Sequence, residues 1–494
     1  MRNNYGLILP SILFFLFGII LFFSPLTVMA EEDYSFDLEE FEPKKFEWGG
    51  YAEIKWEHID LHTDSKFYRL NFYKDPHSAL DRFTGALQVE GRYKKGIWTL
   101  NGLFQAQGRQ DDIGWSDTAD VFEANLSVKP TPAITVDLGK KVFKWGKGYA
   151  WNPVAFIDRP KDPNNPEEAL EGYIGAVLDL IKSFKGSLQT VALTTVVFPV
   201  FDEINEEFGE VNHMNFASKL YLLYRDTDID FVVFSGNSRS TRYGVDFSTN
   251  LATNLEIHGE FAYLSDIDQK YLSETGTLTE RERSVAKYLL GLRYLSKSDI
   301  TTIIEFYHNG AGFSESELKR FYQLVADADT QLLNTGIDTL FQTAKNISKM
   351  GYAKPQAGRN YLYFKINQKD PFDILYFTPG LIAILNLDDQ SYSISPEILY
   401  TGFTNWEPRI CFTLLNGGHF IEFEEKQNEN KLELRPCTIS FLTSVLLWLT
   451  LNIHLVNYLT FFASCFLILN GIVLYEIILS WTAEFNYRKK GLLI

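Results

Sequence analysis

A row of ionisable side chains at positions 256, 258 and 260 could perform acid–base chemistry or bind a metal ion. Glu256, His258 and Glu260 alternate with apolar or small residues, so all three lie on one face of a predicted strand. Carboxylates four residues apart on such a face are separated by about 13 Å, too far to act as a catalytic pair. The chain also lacks the GxSxG, HExxH and phosphate-loop motifs. The sequence therefore predicts no enzyme activity, no metal site and no cofactor.

A second set of polar and aromatic side chains lies in a long loop at residues 144–169 and in the strand before it. The candidates for narrowing a pore or contacting a ligand are Lys141, Lys144, Trp145, Lys147, Trp151, Asn152, Arg159 and Lys161. Cationic groups there would attract anions, as basic rings do in anion-selective pores. The same residues could instead form an ordered surface lid whose charges are solvated. The sequence leaves both alternatives open.

Ionisable side chains recur on the polar face of several other predicted strands. The candidates for a water-filled interior are Glu90, Arg92, Glu256, His258, Glu260, Lys287, Arg293 and Lys365. Because both signs of charge are present, the sequence does not predict a strongly ion-selective interior.

Strands must position these side chains, because a two-residue alternation of apolar and polar residues runs through most of the chain. Ile134, Val136 and Leu138, for example, point to one side, and the residues between them point to the other. The alternating segments are about 9 to 11 residues long, as needed to cross a bilayer at a tilt of about 45°. Short and long connections alternate, as periplasmic turns and extracellular loops do in outer-membrane barrels. The long connections are predicted at 108–119, 144–169, 199–213, 264–284, 311–357 and 416–430. The pattern predicts an all-β fold, a transmembrane antiparallel β-barrel of about 18 strands over residues 48–436.

One long connection, at residues 311–357, breaks the alternation. Ser314 and Glu317 match a helix capping box. Two apolar stripes follow at helical spacing: Leu318, Phe321, Tyr322 and Val325, then Leu333, Ile337, Leu340, Phe341 and Ala344. We expect a helical extracellular loop, with two short amphipathic helices over or inside the barrel mouth.

The composition fits a membrane barrel with a wet interior. Aromatic residues make up 15% of the 494 residues, and such barrels carry an aromatic girdle at each membrane interface. The mean hydropathy of −0.11 is too low for a bundle of membrane-spanning helices. A formal net charge of −17 argues against nucleic acid as a partner, because no large basic face is present to neutralise phosphates. The three cysteines, Cys411, Cys437 and Cys465, form neither a zinc motif nor a disulfide framework.

The beginning of the chain departs from the barrel pattern. Residues 1–30 combine Arg2, an apolar run and a small-residue cleavage site at Val28 and Ala30. This arrangement predicts a cleaved signal peptide that directs the protein through the inner membrane. Residues 31–47 are rich in acidic side chains and are expected to form an exposed periplasmic lead-in.

Residues 437–494 form an atypical apolar tail. Pro436 interrupts the last predicted strand, because proline cannot donate to a β-ladder. Residues 439–481 are apolar enough for two membrane-spanning helices of about 20 residues each. Two explanations stay open: a frame disruption near codon 436, or a genuine helical appendage. Under the first explanation the closing strand would be missing, and insertion into the membrane would be poor.

Three segments carry a family resemblance. They are GKKVFKWGKGYAWNPVAFIDRPKDPNNPEEALEGY at 139–173, YLLYRDTDIDF at 221–231 and GVDFSTNLATNLEIHGEFAY at 244–263. Over about residues 46–436 the chain resembles a poorly characterised family of bacterial porin-like outer-membrane β-barrel proteins. The most specific matches are Trp145-Gly146-Lys147 and Trp151-Asn152-Pro153. The resemblance implies a barrel in the outer membrane of a Gram-negative bacterium, and it implies no established substrate.

Two functions are compatible with these observations. The first is a porin-like channel that passes small solutes across the outer membrane, with outer-membrane lipid and the solutes as partners. The alternative is a non-conducting outer-membrane component of an export or lipid-transfer system, with periplasmic export partners and the helical loop as a plug. The sequence predicts neither the solute nor the oligomeric state.

Overall fold

The computed structural model of the chain describes residues 45–442. The predicted signal peptide, the acidic lead-in up to residue 44 and the apolar tail from residue 443 lie outside these residues. In the part that is described, no helix is both long enough and apolar enough to cross a membrane.

Residues 45–442 form a single sheet of 18 strands, and each strand is antiparallel to its neighbours. The strands are β1 (Phe46–Leu61), β2 (Ala79–Lys95), β3 (Trp98–Asp111), β4 (Gly114–Thr131), β5 (Ile134–Lys141), β6 (Tyr173–Ser183), β7 (Leu188–Val200), β8 (His213–Tyr224), β9 (Thr227–Gly236), β10 (Arg242–Ala252), β11 (Leu255–Leu272), β12 (Leu278–Leu295), β13 (Ile300–Asn309), β14 (Asn360–Gln368), β15 (Phe377–Asn386), β16 (Tyr392–Tyr400), β17 (Arg409–Asn416) and β18 (Asn428–Leu442). Each strand pairs with the next in the chain, and β1 also pairs with β18. The sheet is therefore closed, and the predicted antiparallel β-barrel of about 18 strands is confirmed.

The outer face of the barrel is apolar, whereas its inner face carries buried ionisable side chains as well as apolar ones. Leu100 on β3 and Leu290 on β12 point outward and are 52% and 60% exposed. Asp230 on β9 and Asp246 on β10 point inward, face each other across the two strands, and are each 1% exposed. Because side chains alternate between the two faces of a strand, this distribution is stable only when lipid covers the outer face.

The two ends of the barrel differ in their connections. We call the end with turns such as 96–97 and 225–226 the short-turn end, and the opposite end the long-loop end. The long-loop end carries the connections at 62–78, 142–172, 201–212, 310–359 and 417–427. The first and the last strand of an even-numbered barrel begin and end on the same side, here the short-turn end.

The prediction of long loops at 108–119 and 264–284 is wrong. The strands β3 and β4, and β11 and β12, continue through these segments as hairpins with turns at 112–113 and 273–277. These hairpin ends extend past the apolar band, where outward side chains no longer need to be apolar. The alternation that marks a strand in the sequence is therefore lost there, although the backbone pairing continues.

Three helices lie at the long-loop end: α1 (Lys66–Phe72), α2 (Glu315–Thr335) and α3 (Thr339–Ile347). The capping box predicted at Ser314 and Glu317 is present at the start of α2. The stripe from Leu318 to Val325 is buried against α1 and α3, as expected. The prediction that the second stripe forms one apolar face is partly wrong. Leu333 and Ile337 are 70% and 52% exposed, and only the later residues of the stripe pack in the buried cluster. The physical reason is that α2 ends at Gly336 and α3 starts afresh, so the two helices do not share one continuous face.

The closing strand continues past Pro436, where the sequence places the end of the barrel. Its pairing with β1 shifts register between Ile54 and Trp56, opposite the proline, and resumes through Leu442. Such a bulge accommodates a residue that has no backbone N–H to donate.

Candidate functional site

The connection between β5 and β6, residues 142–172, folds into the barrel, and we call it the inner loop. Glu260 on β11 anchors its first half. The backbone N–H groups of Lys147 and Gly148 donate to the Glu260 carboxylate at 2.6 and 2.7 Å. The backbone N–H of Val154 and the side-chain amide of Asn152 donate to the same carboxylate at 3.1 and 2.9 Å. Four donors thus converge on a carboxylate that is only 3% exposed, and charge-assisted hydrogen bonds hold the loop to the wall.

Glu305 on β13 is a second anchor for the inner loop. Its carboxylate accepts the backbone N–H groups of Tyr149 at 2.5 Å and Ala150 at 2.9 Å. The Nε2 atom of His258, a fully buried side chain, lies 2.9 Å from the same carboxylate. Glu256 accepts the hydroxyl of Tyr149 at 3.1 Å. The row at 256, 258 and 260 therefore supports the loop, and no group of three or more His, Cys, Asp or Glu within residues 45–442 is arranged to hold a metal ion.

The side chain of Lys147 adds a buried ion pair to this attachment. Its ammonium lies 3.0 Å from the Asp230 carboxylate and 3.9 Å from that of Asp246. Burial disfavours the charged ammonium, but the nearby carboxylates outweigh this and raise the pKa of Lys147. Replacement of the lysine would leave two facing carboxylates in the interior without a counterion.

The inner loop also makes hydrogen bonds within itself. The backbone N–H of Trp145 donates to the Asp158 carboxyl at 2.7 Å, and the Lys161 ammonium donates to the carbonyl oxygen of Gly148 at 3.0 Å. Burial raises the pKa of Asp158 to about 7 and lowers the pKa of Lys161. Both shifts have the direction expected where water is excluded from an ionisable group.

Apolar side chains of the inner loop fill the half of the barrel that β6 to β12 enclose. The buried cluster joins Phe143, Trp145, Val154, Phe156 and Ile157 of the loop to Val177, Val196, Phe198, Ala217, Phe234 and Ala262 of the wall. Further along the loop, Trp151 stacks on Tyr307 of β13 with ring centroids 5.0 Å apart. This half of the interior is therefore a packed core. The inner loop is thus packed inside the barrel.

A cavity of about 1080 Å³ occupies the other side of the barrel, beside β1–β3 and β14–β18. Its lining reaches from Asn71 of α1 and Gln427, both at the long-loop end, to Thr378 and Glu407 near the short-turn end. The tip of the inner loop, including residues 164–169, forms part of its wall. Eight acidic and eight basic side chains line it: Glu53, Glu57, Asp162, Glu167, Glu168, Glu397, Glu407 and Glu433, with Lys55, Arg82, Arg109, Lys365, Arg409, Lys426, Lys431 and Arg435. The charges on the wall are therefore balanced.

Ion pairs along β1 and β18 interleave many of these charges. The ammonium of Lys431 lies 3.1 Å from Glu57 and 2.9 Å from Glu433. The guanidinium of Arg435 lies 2.6 Å from Glu433 and 3.2 Å from Glu53. Because opposite charges alternate at contact distance, this part of the wall is polar but carries little net field.

The other loop candidates do not converge on one point. Lys141 pairs with Asp137 on its own strand, and Arg159 pairs with Glu207 at 2.6 Å. Lys144 is exposed. Lys147 and Asn152 bind the wall by polar contacts, and Trp145 and Trp151 pack against it. Lys161 forms its hydrogen bond inside the loop, to Gly148.

The remaining lumen candidates are also distributed over several places. Lys365 lines the cavity, and Arg293 approaches a tyrosine ring of the inner loop at 6.0 Å. Lys287 points inward from the middle of β12, level with Asn309 at the long-loop end of β13. Glu90 and Arg92 are exposed near the short-turn end and do not line the cavity. The residues predicted from the sequence are thus divided among the anchors of the inner loop, the wall of the cavity and the ends of the barrel.

Sequence reasoning missed Glu305, Asp230 and Asp246, which complete the attachment of the inner loop. Each is a carboxylate on the inward face of a strand, and Glu305 lies in the largely apolar run ITTIIEFYHN. An acidic residue in such a run signals a buried partner. The partner itself could not be identified, because the backbone N–H that Glu305 binds lies 156 residues earlier in the chain.

Solved structures similar to this chain are bacterial channels of low sequence identity. OccAB1 of Acinetobacter baumannii is 8% identical, with 81% of this chain and 97% of that chain covered and a TM-score of 0.48. OccAB3 of the same organism is 9% identical, with 81% and 99% covered and a TM-score of 0.44. A triple mutant of the Rhodopseudomonas blastica porin is 9% identical, with 80% and 100% covered and a TM-score of 0.38. No family model matches the chain, and no curated protein matches its sequence.

Proposed function

We propose that this chain forms a porin-like channel through which small solutes cross the outer membrane of a Gram-negative bacterium. The observation that carries the proposal is the cavity of about 1080 Å³ that reaches from the long loops to the short turns. A barrel of this many strands has an interior too wide to be filled by its own wall side chains. The inner loop fills only one side of that interior, and the polar cavity occupies the other.

The proposed orientation follows from the connections. Outer-membrane barrels carry short turns on the periplasmic side and longer loops on the extracellular side. The short-turn end, where the first and last strands meet, would then face the periplasm. The three helices would lie at the extracellular mouth, where α1 contributes Phe67 and Asn71 to the cavity lining.

The balanced lining favours weak ion selectivity. Eight acidic and eight basic side chains line the cavity, and several of them neutralise each other in contact pairs. A hydrophilic solute would therefore meet a polar surface without a strong electrostatic barrier for either sign of charge. The inner loop sets the free cross-section, because its tip forms one wall of the cavity.

Single-channel recording in planar bilayers tests the proposal. We expect discrete conductance steps and a cation-to-anion permeability ratio close to unity in a panel of salts. Lys365→Glu reverses one charge in the cavity and is expected to shift the ratio toward cations. Lys185→Glu makes the same change in an exposed turn between β6 and β7 and is the matched control.

Two results would count against a channel. The first is the absence of conductance steps from protein that is folded and inserted, which would favour the alternative of a non-conducting export or lipid-transfer component. The second is conductance that neither Lys365→Glu nor any other charge reversal in the cavity alters, because ions would then pass by another route.

A further inference from the structure

A cluster of cations lies on the inner wall at the long-loop end, away from the inner-loop anchors. Arg242 is the first residue of β10, and Lys287 lies on β12, with β11 between them. The residue paired with Lys287 on β11 is Ala262, which points inward and is fully buried. Arg242 is paired with Leu264 on β11, one inward position nearer the long-loop end than Ala262. The two cations are therefore diagonal neighbours across β11, and the small side chain of Ala262 leaves room above the wall beside Lys287.

Two further cations approach from loops. Arg239, in the connection between β9 and β10, donates from Nε to the carbonyl oxygen of Phe208 and stacks on that ring at 3.8 Å. Lys354 follows α3, and its carbonyl oxygen accepts the Lys426 ammonium at 2.7 Å. Both loops are therefore held in place, and their charged ends act on Lys287.

Within residues 45–442, no carboxylate acts on Arg242, Lys287 or Lys354, whereas Glu207 acts on Arg239 behind them. In the same part of the chain, the charges that act on Lys287 are Arg242, Lys354 and Arg239, and the charge that acts on Arg242 is Arg239. The Nε atom of Arg242 is buried without a hydrogen-bond partner. In a chain with a net charge of −17, a group of cations without counterions is unusual, and a buried guanidinium donor without an acceptor is costly.

The cluster borders solvent. Arg239, Arg242 and Lys287 are half-buried, and Lys354 is exposed. The neighbours of Lys354 in the chain, Ala353 and Pro355, line the large cavity. A solute that enters the mouth of the barrel would therefore meet these cations beside its path.

We propose that Arg242, Lys287 and Lys354, with Arg239 behind them, form a binding site for the oxyanion of a small solute, such as a phosphate, sulfate or carboxylate group. An oxyanion supplies an acceptor for the unpaired Nε–H of Arg242 and charge for the ammonium groups. Chloride fits less well, because the fork of N–H groups on an arginine matches two oxygen atoms of a carboxylate or phosphate better than it matches one spherical ion. The site does not require that solutes pass through the barrel.

Isothermal titration of the full-length folded protein in detergent, with inorganic phosphate as the probe, tests the site. The control titration uses chloride at matched ionic strength. We expect saturable phosphate binding that chloride does not reproduce. Equal weak heats from both anions would overturn the proposal, because they indicate general screening of charge rather than a site.

Variants assign the binding to these residues. Arg242→Gln combined with Lys287→Gln is expected to weaken phosphate binding by about tenfold or more, since it removes two of the converging charges. Lys319→Gln combined with Lys349→Gln removes the same charge from exposed positions and should leave binding unchanged. Should the first pair fail to fold, Lys354→Gln alters only an exposed loop position and is expected to weaken binding by a smaller factor. Phosphate affinity that is unchanged in the folded variants would overturn the assignment.

Discussion

The backbone N–H of Gly148 donates to the carboxylate of Glu260 at 2.7 Å, although the two residues lie 112 positions apart in the chain. This bond is one of four that Glu260 accepts from the inner loop. It joins a loop between β5 and β6 to the barrel wall on β11, five strands away from β6. The width of the open cavity therefore depends on a carboxylate that does not line the cavity itself.

We predict that Glu260→Gln loosens the inner loop. A glutamine retains one acceptor oxygen but places an NH₂ group against N–H donors, so buried donors lose their partner. Each such loss costs about 1–3 kcal/mol. We expect a lower midpoint for heat-induced unfolding on gels, and larger fluctuations of the open-channel current. Glu280→Gln, at an exposed position of β12, is the control, and equal midpoints for the two variants would contradict an anchoring role for Glu260.

Gly146 permits the tight path of the inner loop past this anchor. Its φ is +92°, and a Cβ there would lie 2.6 Å from Asn152 Nδ2 and 2.7 Å from Glu260 Oε1. Gly146→Ala therefore combines backbone strain with crowding. Gly186→Ala is a matched control, because Gly186 has a φ of +126° but open space around its Cβ position. We expect Gly146→Ala to be the more destabilising by about 1–3 kcal/mol in urea unfolding, and equal losses would exclude crowding at the anchor.

The raised pKa of Asp158 predicts a pH dependence of stability. Burial raises this pKa from 3.8 in the unfolded chain to about 7 in the folded barrel, so the folded state binds the proton more tightly. The contribution to stability is therefore complete below pH 3.8 and is lost as the pH rises to about 7. Between pH 5 and pH 8 the loss should reach about 2–3 kcal/mol.

Asp158→Asn is the variant that isolates this carboxyl. Its side-chain oxygen can still accept the backbone N–H of Trp145, but it cannot ionise. We expect the variant to lose less stability than the unaltered protein between pH 5 and pH 8, as measured by the urea midpoint at each pH. The same pH dependence in both proteins would show that other groups cause it.

The barrel can be predicted because the sequence patterns that indicate its strands and helices are local. The arrangement of the loop inside the barrel cannot be predicted in this way. Ile134, Val136 and Leu138 repeat every second residue, and the capping box at Ser314 is contained in four positions. Each signal concerns residues that are neighbours in the chain, and the structure contains both the strand and the capped helix that they predict. The hairpin ends were missed for a related reason, since strands that leave the lipid no longer carry the alternating pattern.

The attachment of the inner loop depends instead on contacts between distant segments. Lys147 was recognised as a loop cation, but the sequence could not show that its partners are Asp230 and Asp246. The alternation of residues predicts that Glu256, His258 and Glu260 face the interior. In the structure these side chains do lie on the inner face of β11. Its role as an anchor could not be derived, because the donors it binds are mostly backbone N–H groups, which every residue type except proline supplies.

The closing strand gives a final prediction, on the length of chain that the barrel needs. Six backbone pairs join Gly49–Ile54 of β1 to residues 437–442 of β18. A chain truncated after Leu442 retains all six pairs, whereas a chain truncated after Pro436 loses them and leaves backbone groups of β1 unpaired. Unpaired groups in contact with lipid cost several kcal/mol each, so we expect the shorter chain to insert poorly. The measurement is the fraction of heat-modifiable, protease-resistant barrel after refolding into lipid vesicles. Equal fractions for the two truncated chains would show that pairing up to Pro436 is sufficient to close the barrel.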